Sequence, residues 1–182
     1  MPAVTLICHP ETASAARSVG VQVSRRDGML AVGYVIEADV AHLRVPPARM
    51  PRIADRLWQH TCCEIFVARS GLPAYHEFNF APSGEWAVYA LKHYRAGAPL
   101  ADESLDPAIA VRSAADKLEL DAVIRLDRLS PRHAGARLSV ALSVVIEDTA
   151  GALSYWALRH PPGKPDFHHP DAFALELDEV RH

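Results

Sequence analysis

Apolar residues recur along this chain mostly at every second position. Val19, Val21 and Val23 alternate with Gly20, Gln22 and Ser24, and Leu30, Val32, Tyr34 and Ile36 resume the alternation after Asp27-Gly28. A period of two marks a strand with one buried face, and Asp-Gly between two such runs marks a tight hairpin. Leu118, Leu120, Ala122 and Ile124 sit among charged neighbours, while Leu138, Val140, Leu142, Val144 and Ile146 alternate with Ser139, Ala141, Ser143 and Val145. Phe173, Leu175 and Leu177 predict a closing strand by the same rule. Val21, Val32, Tyr34, Leu120, Val140, Leu142 and Val144 are accordingly expected to face a core.

Helical periodicity is scarce. Arg52 to Gln59 fits one or two helical turns, and Ala87 to Tyr94 fits either period but is assigned to strand because its neighbours are strands. Arg95 to Pro107 is polar and turn-rich and predicts a long surface loop. The 14 prolines and nine glycines fall mainly between the alternating runs. Many short strands separated by turn signals predict an all-β fold, a two-sheet antiparallel β-sandwich with minor helical turns, rather than an α/β fold with crossover helices. With 182 residues and no visible repeat or linker, residues 1–182 read as one domain with one core.

Composition narrows the function classes. A chain that is 49% hydrophobic and 23% charged is ordinary globular material. Its 19 basic residues are spread among 22 acidic ones without a dense run, so a nucleic-acid partner is not expected. The first 20 residues carry no basic segment ahead of an apolar stretch, and no run approaches the roughly 20 apolar residues that cross a bilayer. Neither a membrane partner nor export is expected, and the cytoplasm is the expected compartment. Cys8, Cys62 and Cys63 are an odd set, and vicinal residues of a strand point to opposite faces, so reduced, buried thiols are expected. With no C-x-x-C pair and no four-ligand set at workable spacing, no tightly held metal is expected either.

Two segments differ from the rest in their density of aromatic and polar side chains, the material of ligand pockets. They read LWQHTCCEIFVARSGLPAYHEFNFAPSGEWAVY and SYWALRHPPGKPDFHHPDAF. On strands, His60, Cys62, Glu64 and Phe66 share one face, and Tyr75, Glu77 and Asn79 share one face of the next strand. Alternation alone is equally compatible with Glu64 and Glu77 lying on a solvated outer surface.

The stretches Leu57 to Phe66, Tyr75 to Tyr89 and Tyr155 to Phe173 together resemble DOMON-like domains related to family 9 carbohydrate-binding modules. The resemblance covers under a third of the chain, in the expected order. It implies a β-sandwich that binds a small molecule, a sugar or haem, without catalysing a reaction. Sugars are commonly held by flat aromatic rings with polar groups at the hydroxyls. The expected site is therefore a pocket between the Tyr75 to Trp86 hairpin and the Trp156 to His169 segment, with His60 and Glu64 nearby. In it Glu77 and Asn79 take hydroxyls, Trp86 or Trp156 stacks, and His160, Lys164, Asp166 and His168 belong to a proline-stiffened rim. Trp58 is assigned a structural role.

Four alternatives stay open. Haem would need a Met and His pair, for which only Met50 lies in a suitable loop, so no cofactor is expected. A glycoside-acting enzyme would need two facing carboxylates from Glu64, Glu77 and Asp166, although no nucleophile elbow, H-E-x-x-H or phosphate loop is present. An interaction module would use a sheet edge. Finally, Asp166 and His168 could merely fix their loop while Glu64 pairs with a base such as Arg159.

Overall fold

The computed structural model describes residues 3–178, and its architecture follows from the alternating runs. Strands β2 (Ala16–Arg26) and β3 (Met29–Ala38) meet at Asp27 and Gly28, whose φ values of 49° and 74° are the left-handed pair that a two-residue hairpin demands. Strands β1 (Ala3–Cys8), β8 (Ala108–Ser113) and β9 (Lys117–Arg125) complete a first sheet in the order β1-β2-β3-β9-β8.

The second sheet runs β7 (Ala96–Pro99), β6 (Trp86–His93), β5 (Tyr75–Phe80), β4 (Cys62–Arg69), β10 (Leu138–Glu147) and β11 (Leu153–Ala157). The short β12 (Leu175–Leu177) pairs with the start of β10. All these pairings are antiparallel. Strand β1 belongs to both sheets, since Ala3 to Leu6 pair with β2 while Ile7 and Cys8 pair with β11. That shared strand stitches the layers together at one edge.

The inward faces form one continuous core. Val21, Val32, Tyr34 and Leu120 of the first sheet are buried against Ile65, Phe78, Val140, Leu142 and Val144 of the second. At roughly 1.5–3 kcal/mol for each large side chain removed from water, this burial is the dominant force closing the sandwich. Short helices α1 (Leu126–Leu129) and α2 (Pro131–Gly135) connect β9 to β10, and Arg25 fastens α2 by donating to the carbonyls of His133, Ala134 and Ala136. Among the described residues no helix is long and apolar enough to cross a membrane.

Three expectations are corrected. The loop expected from Arg95 to Pro107 contains β7, an edge strand without apolar alternation that rides so close on β6 that a Cβ at Gly97 would fall 2.1 Å from the Ala90 carbonyl oxygen. The helix expected over Arg52 to Gln59 shrinks to a 3-10 turn at Leu57–Gln59, because Arg56 takes a left-handed conformation and Trp86 pairs with Ile53. The closing strand begins at Leu175 rather than Phe173, which ends a 3-10 turn at Pro170–Ala172.

Candidate functional site

The outer face of the second sheet is not a solvated surface. Register aligns Ala87, Asn79, Glu64, Ser143 and Ala157 in one row across β6, β5, β4, β10 and β11. Beside it run Tyr89, Glu77, Phe66 and Ala141, and on the other side Cys62, Val145 and Tyr155. Segment 158–174 lies over this face, and Phe167 and Phe173 pack on its apolar residues.

What remains open is a cavity of about 350 Å³, near the lower end of the range for small-ligand sites. Glu64 and Glu77 form its floor, Trp58, Tyr89, Tyr155 and Phe167 its aromatic walls, and Arg95 and His168 part of its rim.

Both carboxyls are buried, at 2% and 7% exposure. Glu64 accepts a hydrogen bond from the Ser143 hydroxyl at 3.2 Å, and among the described residues no basic side chain pairs with it. Arg159, proposed as its partner, is exposed. Burial pushes the Glu64 carboxyl well above the usual carboxylate range, and the neighbouring Glu77 charge adds to the rise against the Ser143 hydrogen bond. Burial likewise raises Glu77, opposed by the Asn79 amide and the Arg95 guanidinium. Asn79 donates to Glu77 Oε1 at 2.9 Å, while its own Oδ1 is buried without a partner.

The backbone beneath is held from the opposite sheet. The Tyr34 hydroxyl crosses the core and donates to the Glu64 carbonyl at 2.7 Å. A rim network orients His168: the Tyr75 hydroxyl accepts from the Arg95 amide at 3.2 Å and lies 2.8 Å from His168 Nδ1. With that hydroxyl donating to Nδ1, the proton of the neutral ring resides on Nε2, which faces Glu77 Oε2 at 3.7 Å. Burial pushes His168 down to about 4, and the Arg95 charge acts in the same direction. Asp166 fixes the overlying segment by accepting from Tyr94 at 2.6 Å, from Arg95 at 2.8 Å and from the His168 amide at 3.1 Å.

The structure thus brings Glu64, Glu77 and His168 to the lining of one cavity, with Asn79 bonded to Glu77 and Tyr75 and Asp166 bonded to His168 from outside that lining. Other expected members lie elsewhere. Trp86 and Trp156 point into the core between the sheets, because strand parity places each opposite in sense to Tyr89 and Tyr155. The stacking role expected of them is corrected: Trp86 is 3% exposed, and Trp156 donates its indole N–H to Ser14. His60 faces away and donates to the buried Glu147 at 2.7 Å, a carboxylate also bound by Arg44 at 2.7 Å. His160 donates to the Ile7 carbonyl and packs edge-on against His9, tying segment 158–174 to β1. Lys164 is exposed, and the cavity lining does not include it.

Sequence reasoning passed over Trp58, Tyr89, Arg95, Tyr155 and Phe167. Tyr89 and Tyr155 lie on strands whose outward face is fixed only by the register that sets Tyr89 beside Glu77 and Tyr155 beside Val145. Trp58 sits on the 3-10 turn before β4, where alternation carries no information, and it is 47% exposed at the cavity edge. Cys62 and Cys63 point to the outer and inner faces respectively, and all three cysteines are free thiols. Met50 is 83% exposed. Among the described residues no three His, Cys, Asp or Glu side chains group as a metal site.

Fold and site together define a β-sandwich with a covered, aromatic-walled cavity on the outer face of one sheet. Its fold is similar to that of solved carbohydrate-binding structures. A family 9 carbohydrate-binding module from Caldicellulosiruptor kristjanssonii, solved with glucose, superposes with a TM-score of 0.53 at 13% identity over 84% of this chain and 72% of the module. The same kind of module solved with cellotriose gives 0.53 at 14% identity, covering 84% and 70%. A provisionally named carbohydrate-binding protein from Bacteroides uniformis gives a TM-score of 0.65 at 15% identity, covering 94% of this chain and 83% of that one. No protein-family model and no curated protein matches the sequence.

Proposed function

We propose that the cavity binds a small carbohydrate and does not transform it. The observation that carries this reading is the pairing of a buried polar floor, Glu64 and Glu77, with the aromatic walls Trp58, Tyr89, Tyr155 and Phe167. Rings offer flat apolar faces to a sugar's C–H surface, and acceptors beneath them take its hydroxyls. Two of the structural neighbours were solved with glucose and cellotriose, which supports the same ligand class here.

Calorimetry and tryptophan fluorescence with glucose and cellotriose test the reading. Trp58→Ala is expected to weaken binding by up to about tenfold, the worth of one stacked ring. Trp156→Ala in its folded fraction is expected to leave affinity unchanged. Absence of binding to any sugar of a broad array, or glycoside hydrolysis lost in Glu64→Gln, overturns it.

A further inference from the structure

The cavity floor has a surplus of hydrogen-bond acceptors. Once ionised by an arriving cation, Glu64 presents two acceptor oxygens, of which one receives a bond, from Ser143. Glu77 receives one, from Asn79. Asn79 Oδ1 is fully buried and receives none. The nearby donors are committed or out of reach: the Ser143 hydroxyl and the Asn79 amide are already engaged, and His168 Nε2 stands 3.7 Å from Glu77. Asn79 Oδ1 is closed off from the cavity, whereas the Glu64 and Glu77 carboxyls line it and are open to donors that a ligand brings.

Charge points the same way. Glu64 and Glu77 share the cavity with one guanidinium, that of Arg95, which is already bonded to Asp166 at 2.8 Å. Among the described residues neither floor carboxyl has a basic side chain at hydrogen-bond distance. The four aromatic walls above them have electron-rich faces that attract cations.

A sugar hydroxyl brings one donor and two acceptors, whereas an ammonium group brings three donors and no acceptor. We infer that the carbohydrate bound here carries a free ammonium group, an amino sugar, with its nitrogen held by Glu64 and Glu77 beneath the aromatic walls. This specificity rests on the sugar-binding reading and deepens it. An arriving cation also offsets the burial that disfavours ionisation of both carboxyls. A metal cation is a poorer match, since no three-ligand group exists among the described residues.

The test is calorimetry on the intact chain with glucosamine, galactosamine and mannosamine against glucose, galactose, mannose and N-acetylglucosamine, at a pH that keeps the amines protonated. At least one amino sugar is expected to bind about tenfold or more tighter than its neutral parent, and N-acetylation is expected to abolish that advantage. Glu64→Gln and Glu77→Gln are each expected to reduce the preference. Both are isosteric with the neutral carboxyl, and the ligand comparison needs neither variant. Equal affinity for amino and neutral sugars overturns this inference and leaves the sugar reading standing. Binding of ethanolamine with no sugar bound overturns the sugar reading and the amino-sugar assignment together, as does binding of nothing in the panel.

Discussion

The outer faces of the two sheets are built from the same alternating pattern and have opposite fates. On the first sheet, Glu119 and Asp121 project outward and are neutralised in place, Arg112 reaching Asp121 at 2.8 Å and Lys117 reaching Glu119 at 3.3 Å in solvent. On the second, Glu64 and Glu77 also project outward, yet segment 158–174 covers them and no basic side chain among the described residues salt-bridges them except His168 at 3.7 Å. The first pair of carboxylates meets basic partners in solvent, whereas burial raises both carboxyls of the second. The cover, not the strand, turns an outer face into a site.

Measurements that break or sharpen this contrast run from large effects to small. Trp86→Ala, emptying the core behind the cavity, is expected to cost about 3–5 kcal/mol in chemical denaturation, whereas Trp58→Ala on the outer face should stay within about 0.5 kcal/mol. Comparable losses in the two variants would mean that the outer face is as tightly packed as the core.

Glu64→Gln is expected to stabilise the fold by about 1–3 kcal/mol at neutral pH, because it removes a buried group whose ionisation is disfavoured. The sign follows from linkage. The folded state retains protons on Glu64 and Glu77 that the unfolded chain releases, so stability falls as pH rises from the ordinary carboxylate range through their raised values. His168 and His133, both pushed down to about 4 chiefly by burial, act oppositely, and stability is lost as pH falls from the ordinary histidine range toward that value. Melting temperature against pH should therefore decline on both sides. Glu64→Gln should flatten the decline on the alkaline side, and His168→Gln the decline on the acid side.

Tyr34→Phe, which deletes the hydroxyl bridging the core to the Glu64 carbonyl, is expected to cost about 1 kcal/mol. Arg112→Ala, on the solvated face of the first sheet, is expected to change stability by less than about 0.5 kcal/mol, an effect that salt should screen. A large loss in Arg112→Ala would erase the distinction between the two faces.

Much of the fold was legible because a strand's period of two needs no distant partner to declare itself. Val21, Val32 and Tyr34 flank an Asp-Gly turn, and Leu120, Val140, Leu142 and Val144 repeat the rule, so hydrophobic burial alone sends them inward. Alternation also placed Glu64, Glu77 and Asn79 on coherent faces of adjacent strands, and register then brought Glu64 opposite Asn79. It could not say that the face would be covered. That depends on segment 158–174, which is anchored by Asp166 to Tyr94 and Arg95 and by His160 to Ile7, over separations of 71 to 153 residues. Nor could local pattern choose among the tryptophans. Trp86 and Trp156 lie on strands whose parity faces the core, and Trp58 lies on a turn whose direction is set by where β4 begins and by the left-handed Arg56 before it. The strand pattern and the inward faces were determined by the chain's own order of polar and apolar residues. The cavity and the fate of its two carboxyls were decided by the tertiary structure alone, because both arise from contacts between segments that share no local period.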